Sequence, residues 1–290
     1  MSLPEIDFAR VEQLIKLAFD EDLSDLGDAT SLSVINNDTE ATAVFIAKED
    51  LVCSGLAVTE MAFKMLDENI RFHALVSDGD ICAKGTVLAE FKGNAQALLT
   101  GERTALNFIQ RLCGIATTAK KYADAVAGTD TVILDTRKTT PGWRNLEKYA
   151  VACGGASNHR IGLYDMVMIK DNHRELAGLE GEYGITRSVK RAKERFPQLA
   201  VEVEADTLAE VKEALSAQAE VIMLDNMSNS QMAEAVRIID KKAKVEASGG
   251  ITFERIKSIA ALGGIDYISI GALTHSVKAA DISMDIKLEQ

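Results

Sequence analysis

What most constrains the fold of this chain is a rhythm that begins near residue 130. Short β-rich runs (TVILD, MVMIK, AVEVEA, EVIMLD, KVEAS, YISIG) alternate with helical patterns such as ITRSVKRAKERF, LAEVKEALSA, SQMAEAVRIIDKK and TFERIKSIAAL. Strand, helix, strand in strict alternation requires parallel strands with right-handed crossovers, because a parallel neighbour is reached only by crossing a face of the sheet. Every run ends on a polar signature: Asp135-Thr136-Arg137-Lys138, Lys170-Asp171-Asn172, Glu204, Asp225-Asn226, Ser248-Gly249-Gly250 and Gly271-Ala272. An α/β barrel gathers its site at the strand C-termini, so these residues are expected at one mouth. An open doubly wound sheet is the alternative. GGIDYISIGA carries glycines on both sides of a strand, but no GxGxxG opens a helix there, and a dinucleotide fold is not expected.

The first hundred residues read as a mixed α+β domain. Residues 5–20 carry Ile6, Val11, Leu14, Ile15, Ala18 and Phe19 at helical spacing. ATAVFIA alternates as a strand, GLAVTEMAFKML is amphipathic, and RFHALV returns to strand. Turn signals at Asp78-Gly79 and Lys84-Gly85 then predict a short meander through SDGDICAKGTVLAEFKG. From Asn94 to about Val126 the pattern is helical, with Arg103, Asn107 and Arg111 near one face; a solvated stripe explains that spacing as well as a functional one. The tail DISMDIKL puts Ile282, Met284, Ile286 and Leu288 on one side of a half-buried strand. No helix pattern follows it, so it is expected to return to the first domain's sheet.

Charge narrows the function. The chain carries a net −12, yet residues 132–174 hold seven bases (Arg137, Lys138, Arg144, Lys148, Arg160, Lys170, Arg174) against four acids (Asp135, Glu147, Asp165, Asp171). A cationic cleft in an acidic protein fits a small polyanion and argues against nucleic acid or an anionic membrane as partner. No apolar run approaches the length of a membrane helix. The opening MSLPEIDFARVEQ has no signal-peptide core, and Cys53, Cys82, Cys113 and Cys153 form no CxxC pair, so a cytoplasmic, reducing location is expected.

Arg137, Arg160 and Lys170, with His159, stand at or just past strand ends. Guanidinium forks pair bidentately with carboxylate or phosphate, so two arginines and a lysine can fix a small dianion in one orientation. Glu204 and Asp225 end successive strands and suit Mg²⁺ carried in on substrate phosphates, or partners that position the lysines. Glu204 is expected to face the pocket and Glu202 to be an ordinary solvated acid on the opposite face. Ser248-Gly249-Gly250 and Gly271-Ala272 follow the last two strands, where glycines let backbone N–H groups approach a phosphate. Lys170 reads equally as a Schiff-base nucleophile and as a permanent cation. His73 and His275 read as structural, and Trp143 as packing.

Longer motifs then carry a resemblance. TGERTALNFIQRLCGIAT, ILDTRKTTPGWRNLEKYAVACGGASNHRIGLYDMVMIKDNH, VEVEADT, VIMLDN, SGGI and IGALTHS, with EDLSDLGDATS and VCSGLAV before them, resemble the quinolinate phosphoribosyltransferase family over nearly the whole chain. The DDxxTTG-like motif of the other large phosphoribosyltransferase class is absent; DTRKTT has one acid. The resemblance implies an N-terminal α/β sandwich, residues 1–112 joined by 276–290, and an incomplete α/β barrel over 113–275, in an obligate homodimer. It implies transfer of phosphoribose from 5-phosphoribosyl-1-pyrophosphate to quinolinate, with release of pyrophosphate and CO₂, for NAD synthesis. Quinolinate's carboxylates would be held by Arg137, His159, Arg160 and Lys170, with Arg103 reaching in from the partner subunit. Lys138, Glu204 and Asp225 would attend the phosphoribosyl pyrophosphate and its Mg²⁺ as the catalytic set. Thr136, Ser248, Gly249, Gly250, Gly271 and Ala272 complete the expected binding residues, most of them at the phosphates. The rival readings are a related transferase with another acceptor, a Schiff-base lyase using Lys170, and a non-catalytic anion sensor.

Overall fold

The computed structural model describes residues 3–178 and 183–288. Two compact units emerge, one of Met1–Lys121, Thr139–Gly155 and Ala272–Gln290, the other of Tyr122–Lys138 and Ala156–Gly271. The strands are β1 (Glu40–Ala47), β2 (Leu51–Val52), β3 (Arg71–Ala74), β4 (Ile81–Cys82) and β5 (Val87–Asn94) in the first unit. In the second lie β6 (Val132–Leu134), β7 (Val167–Ile169), β8 (Val201–Ala205), β9 (Val221–Asp225), β10 (Lys244–Ser248) and β11 (Tyr267–Ser269). The last strand, β12 (Ile282–Leu288), belongs to the first unit.

The first unit is built on an antiparallel sheet ordered β12-β1-β5-β3. Alternation in β1 buries Ala41, Ala43, Phe45 and Ala47, and Phe45, Phe63 and Phe91 pack with ring centroids 4.5–6.0 Å apart. The Ala95–Ala125 helix crosses this core closely at Gly101, where a Cβ would stand 2.8 Å from the Phe63 ring. The tail returns as expected, pairing Ala41–Ala47 in register with Leu288–Ile282. Its apolar side is not uniformly buried: exposure rises from 2% at Ile282 to 72% at Leu288. The 77–93 stretch is not a simple meander, because β4 pairs with β2 while β5 crosses to β1 and β3.

The Arg144–Cys153 helix belongs to the first unit, although its sequence lies between two barrel strands. Glu147, fully buried, accepts from Arg111 Nε (3.1 Å) and Nη2 (2.5 Å) and from the Thr140 N–H (3.1 Å). Tyr149 donates to Asp78 Oδ2 at 2.8 Å, and Trp143 stacks on Phe108 at 4.6 Å. Residues 139–155, which the expected 113–275 domain included, thus pack with the first unit, and the long Ala95–Ala125 helix runs through 112/113. Arg111 thus serves structure rather than an exposed stripe. Arg111→Ala should destabilise the protein by about 2–3 kcal/mol, because it strands a buried carboxylate; urea unfolding measures it, and Arg111→Lys should recover part.

The second unit is a six-stranded parallel sheet ordered β6-β11-β10-β9-β8-β7. A closed barrel would also pair β6 with β7. Here β6 and β7 end the sheet unpaired with each other among the described residues, and β6 instead takes a single parallel bridge, Leu134–Ser157, which leaves the barrel incomplete. Val201, Val203, Ala205, Ile222, Leu224, Val245, Ala247 and Ile268 form the buried layer. Capping boxes at Thr207/Glu210 and Ser228/Gln231 start two of the crossover helices where the chain leaves β8 and β9.

Candidate active site

One cavity of about 590 Å³ opens at the C-terminal ends of the barrel strands, wholly within the second unit. Thr136, Arg137 and Lys138 follow β6; His159 and Arg160 follow the bridge at Ser157; Lys170 follows β7. Glu204 and Asp225 come from β8 and β9, and Ser248, Gly249 and Gly250 from the end of β10. Eleven of the expected residues therefore share one space. Gly271 and Ala272 are not among those lining it. Arg103 is carried by the first unit, exposed beside a groove with Leu14, Leu17, Asn107 and Trp143.

The sequence reading missed Met168, Met223, Glu246 and Ser269, which also line the cavity, as does Asn226. Each of the four sits two residues before an expected one: Met168 before Lys170, Met223 before Asp225, Glu246 before Ser248, Ser269 before Gly271. Strand periodicity of two puts such pairs on the same face. The same rule corrects the expectation for Glu202. It shares the face of Glu204, is completely buried, and points at His159.

The cations are held by the protein itself. Lys170 Nζ donates to Glu204 Oε2. Arg160 Nη1 donates to the Met166 carbonyl at 3.0 Å and its Nη2 lies 3.5 Å from Met168 Sδ, which fixes the guanidinium plane. Burial, then the charge of Arg137, pushes the Arg160 pKa down from its usual value. At Asp225, burial and then Asp206 raise the carboxyl pKa against the pull of Lys170 and Lys138. Asp135, fully buried, accepts from the His159 N–H (2.8 Å) and Asn158 Nδ2 (2.7 Å), so the loop carrying His159 and Arg160 is pinned to the end of β6.

Below the cations lies a second layer. His159 Nε2 is 3.2 Å from Glu202 Oε2 and 3.3 Å from Glu246 Oε2. Burial opposes charge on this ring, but the two glutamates outweigh it and raise its pKa to about 9. Burial likewise raises the Glu202 carboxyl. The Arg160 N–H lies 2.7 Å from Nδ1 of the same ring. Among the described residues this is the one group of three His, Cys, Asp or Glu side chains close enough to share a metal ion, but its spacings are those of shared protons.

The turn after β10 needs glycine. Gly249 has φ +78°, and a Cβ there would meet Asn226 Oδ1 at 2.4 Å and the Asn226 backbone nitrogen at 2.7 Å. The Ser248-Gly249-Gly250 backbone can thus lie against the end of β9 and face an anionic group.

Comparison with known proteins agrees across the whole chain. Family models match over residues 28–113, as the quinolinate phosphoribosyl transferase N-terminal domain, and over residues 115–285, as its C-terminal domain. The chain is 44% identical to the chloroplastic nicotinate-nucleotide pyrophosphorylase (carboxylating) of Oryza sativa subsp. japonica, covering 96% of this chain and 78% of that protein. It is 42% identical to the probable nicotinate-nucleotide pyrophosphorylase (carboxylating) of Bacillus subtilis, over 96% and 94%. The solved nicotinate-nucleotide pyrophosphorylase of Francisella tularensis superposes with a TM-score of 0.91 at 38% identity, over 99% of each chain.

Proposed function

The chain belongs to the quinolinate phosphoribosyltransferase family, and from that premise we infer what its cavity does. It transfers the phosphoribosyl group of 5-phosphoribosyl-1-pyrophosphate to the ring nitrogen of quinolinate, releasing pyrophosphate and CO₂ and giving nicotinate mononucleotide for NAD biosynthesis. The observation that supports the division of labour is the convergence of Arg137, Arg160 and Lys170 beside Lys138, Glu204 and Asp225 in one cavity. Arg137, Arg160 and Lys170 take the two carboxylates of quinolinate, each charge-assisted bond stronger for being shielded from water. Met168 and Met223 give the flat ring an apolar wall.

Lys138 and the Ser248-Gly249-Gly250 turn face the phosphates. As pyrophosphate leaves, positive charge develops at the ribose carbon and negative charge on the leaving group, and these preplaced dipoles and cations stabilise the latter. Attack by the ring nitrogen makes a pyridinium, which is itself the electron sink for losing the neighbouring carboxylate. No protein nucleophile is needed; orientation contributes much of the rate.

The oxygen donors at the mouth fit a hard cation. Glu204 and Asp225 are the sort of one or two carboxylates by which Mg²⁺ is held together with substrate phosphates. When bound, the ion would neutralise charge on the departing pyrophosphate. Activity should fall to background with EDTA and return on adding excess Mg²⁺.

The working form is a homodimer in which Arg103 enters the neighbouring cavity, a reading supported by its exposed position on the first unit. Mixing Arg103→Ala with Lys170→Ala subunits should restore about a quarter of wild-type activity, since random pairing leaves one complete site in each mixed dimer. Absence of recovery, with subunit exchange verified by mass spectrometry, would show each site to be built from one chain. All four cysteines are free and buried, which supports a reducing, cytoplasmic setting. The assay that tests the function is formation of nicotinate mononucleotide from quinolinate, 5-phosphoribosyl-1-pyrophosphate and Mg²⁺, with nicotinate as the control acceptor; turnover of nicotinate alone would point to a related transferase.

A further inference from the structure

We propose that Asn226 is a positioning residue for the phosphoribosyl pyrophosphate half of the cavity, holding the Asp225 carboxylate and the Ser248-Gly249-Gly250 turn at one fixed spacing. The inference rests on the reading of the cavity given above. Its basis is the way β9 and β10 end. Asp225 and Ser248 are the last paired residues of these two strands. One further ladder bond follows, from the Asn226 N–H to the Ser248 carbonyl at 3.2 Å. Both chains then leave through left-handed backbone, Asn226 at φ +53° and Gly249 at φ +78°. Among the described residues, Asn226 is the one non-glycine residue lining the cavity with such a backbone. Asparagine is one of the few residue types besides glycine that adopt it routinely.

The side chain of Asn226 reaches both neighbours at once. Its Nδ2 donates to Asp225 Oδ2 at 2.6 Å. Its amide also lies over Gly249, where a Cβ would stand 2.4 Å from Oδ1 and 2.7 Å from Cγ. One planar group is therefore wedged between the carboxylate on one side and the phosphate-facing turn on the other. Lys170 and Lys138 act on Asp225 through charge, against Asp206 and Asp171. A neutral N–H donor adds what those charges do not supply, a direction. It engages one carboxylate oxygen and leaves the other for a ligand. Glycine at 226 would suit the left-handed backbone as well, so the turn alone does not call for an amide. The bond to Asp225 and the contact with Gly249 do. Support of this kind holds a binding group to within a fraction of an ångström of its working place.

Kinetics and direct binding test this. Asn226→Gly keeps the left-handed backbone and removes only the amide. It should raise the KM for 5-phosphoribosyl-1-pyrophosphate about tenfold, as loss of one hydrogen bond to a charged group does. The KM for quinolinate should stay within about threefold of wild type. Asn226→Asp keeps the shape and tolerates the backbone, but sets a second carboxylate against Asp225; it should raise the same KM about a hundredfold. Calorimetric titration with inorganic pyrophosphate and Mg²⁺, without quinolinate, should rank the proteins the same way, wild type tightest and the aspartate variant weakest. A glycine variant that matches wild type in both measurements overturns the proposal. So do variants that shift the two KM values alike, or a wild-type protein that binds no pyrophosphate. The titration needs no turnover. A wild-type protein that bound pyrophosphate but made no nicotinate mononucleotide would defeat the functional reading, while the affinities of the variants still judged Asn226.

Discussion

Arg160→Ala should raise the KM for quinolinate by on the order of 10²–10³-fold, while the KM for 5-phosphoribosyl-1-pyrophosphate stays within a factor of about three. The size follows from what the side chain already has. Its guanidinium is half-buried, held in plane by the Met166 carbonyl and Met168 sulfur, and crowded by Arg137. A bound dianion would relieve that crowding, so the arginine gives up little entropy and gains a charge-assisted fork in a water-poor site. Arg160→Lys should recover only a small part, because a point charge cannot reproduce a bidentate plane. Steady-state kinetics with each substrate varied in turn separates this loss from a general weakening of the fold.

The larger effect is expected at Lys170. Lys170→Ala should lower kcat/KM by on the order of 10³–10⁴-fold, since it removes a cation and also leaves Glu204 unneutralised beside two polyanionic substrates. Lys170 and Glu204 are joined directly, and Glu204 is 8% exposed. The same pairing decides between the two readings of this lysine. A Schiff-base lysine must present a free amine to its substrate, whereas the Lys170 Nζ is already engaged by the Glu204 carboxylate. Borohydride added with either substrate should therefore trap no adduct, and mass spectrometry of the Lys170 peptide would reveal one. A substrate-dependent adduct at this residue would revive the lyase reading.

Much of this was legible in the sequence because parallel α/β architecture writes its site at the ends of its strands. DTRK, KDN, the last acid of VEVE, LDN and SGG each mark a strand terminus, and the fold brings all of them to one mouth. The misses share a cause: the residue two positions earlier on each strand faces the same way. Treating Glu202 and Glu204 as opposite in facing hid the glutamate layer, and Met168, Met223, Glu246 and Ser269 were passed over as strand filling. No local pattern could have shown that 139–155 packs with the first unit. That depends on Arg111, Asp78 and Phe108, which meet Glu147, Tyr149 and Trp143 only in three dimensions. An incomplete barrel was expected from the family resemblance, but the place of its break was not legible, since β6 and β7 are consecutive strands yet stand at opposite edges of the hydrogen-bonded sheet.

The central claim is that these converging cations hold a pyridine dicarboxylate while its nitrogen takes the ribose and its neighbouring carboxylate departs. Quinolinate labelled with ¹³C in the 2-carboxylate tests it in one tube with 5-phosphoribosyl-1-pyrophosphate and Mg²⁺. The account predicts one equivalent of ¹³CO₂ for each nicotinate mononucleotide formed, and neither product when the sugar diphosphate is withheld. A mononucleotide that keeps the label, label released without the sugar, or no product from folded protein would contradict it.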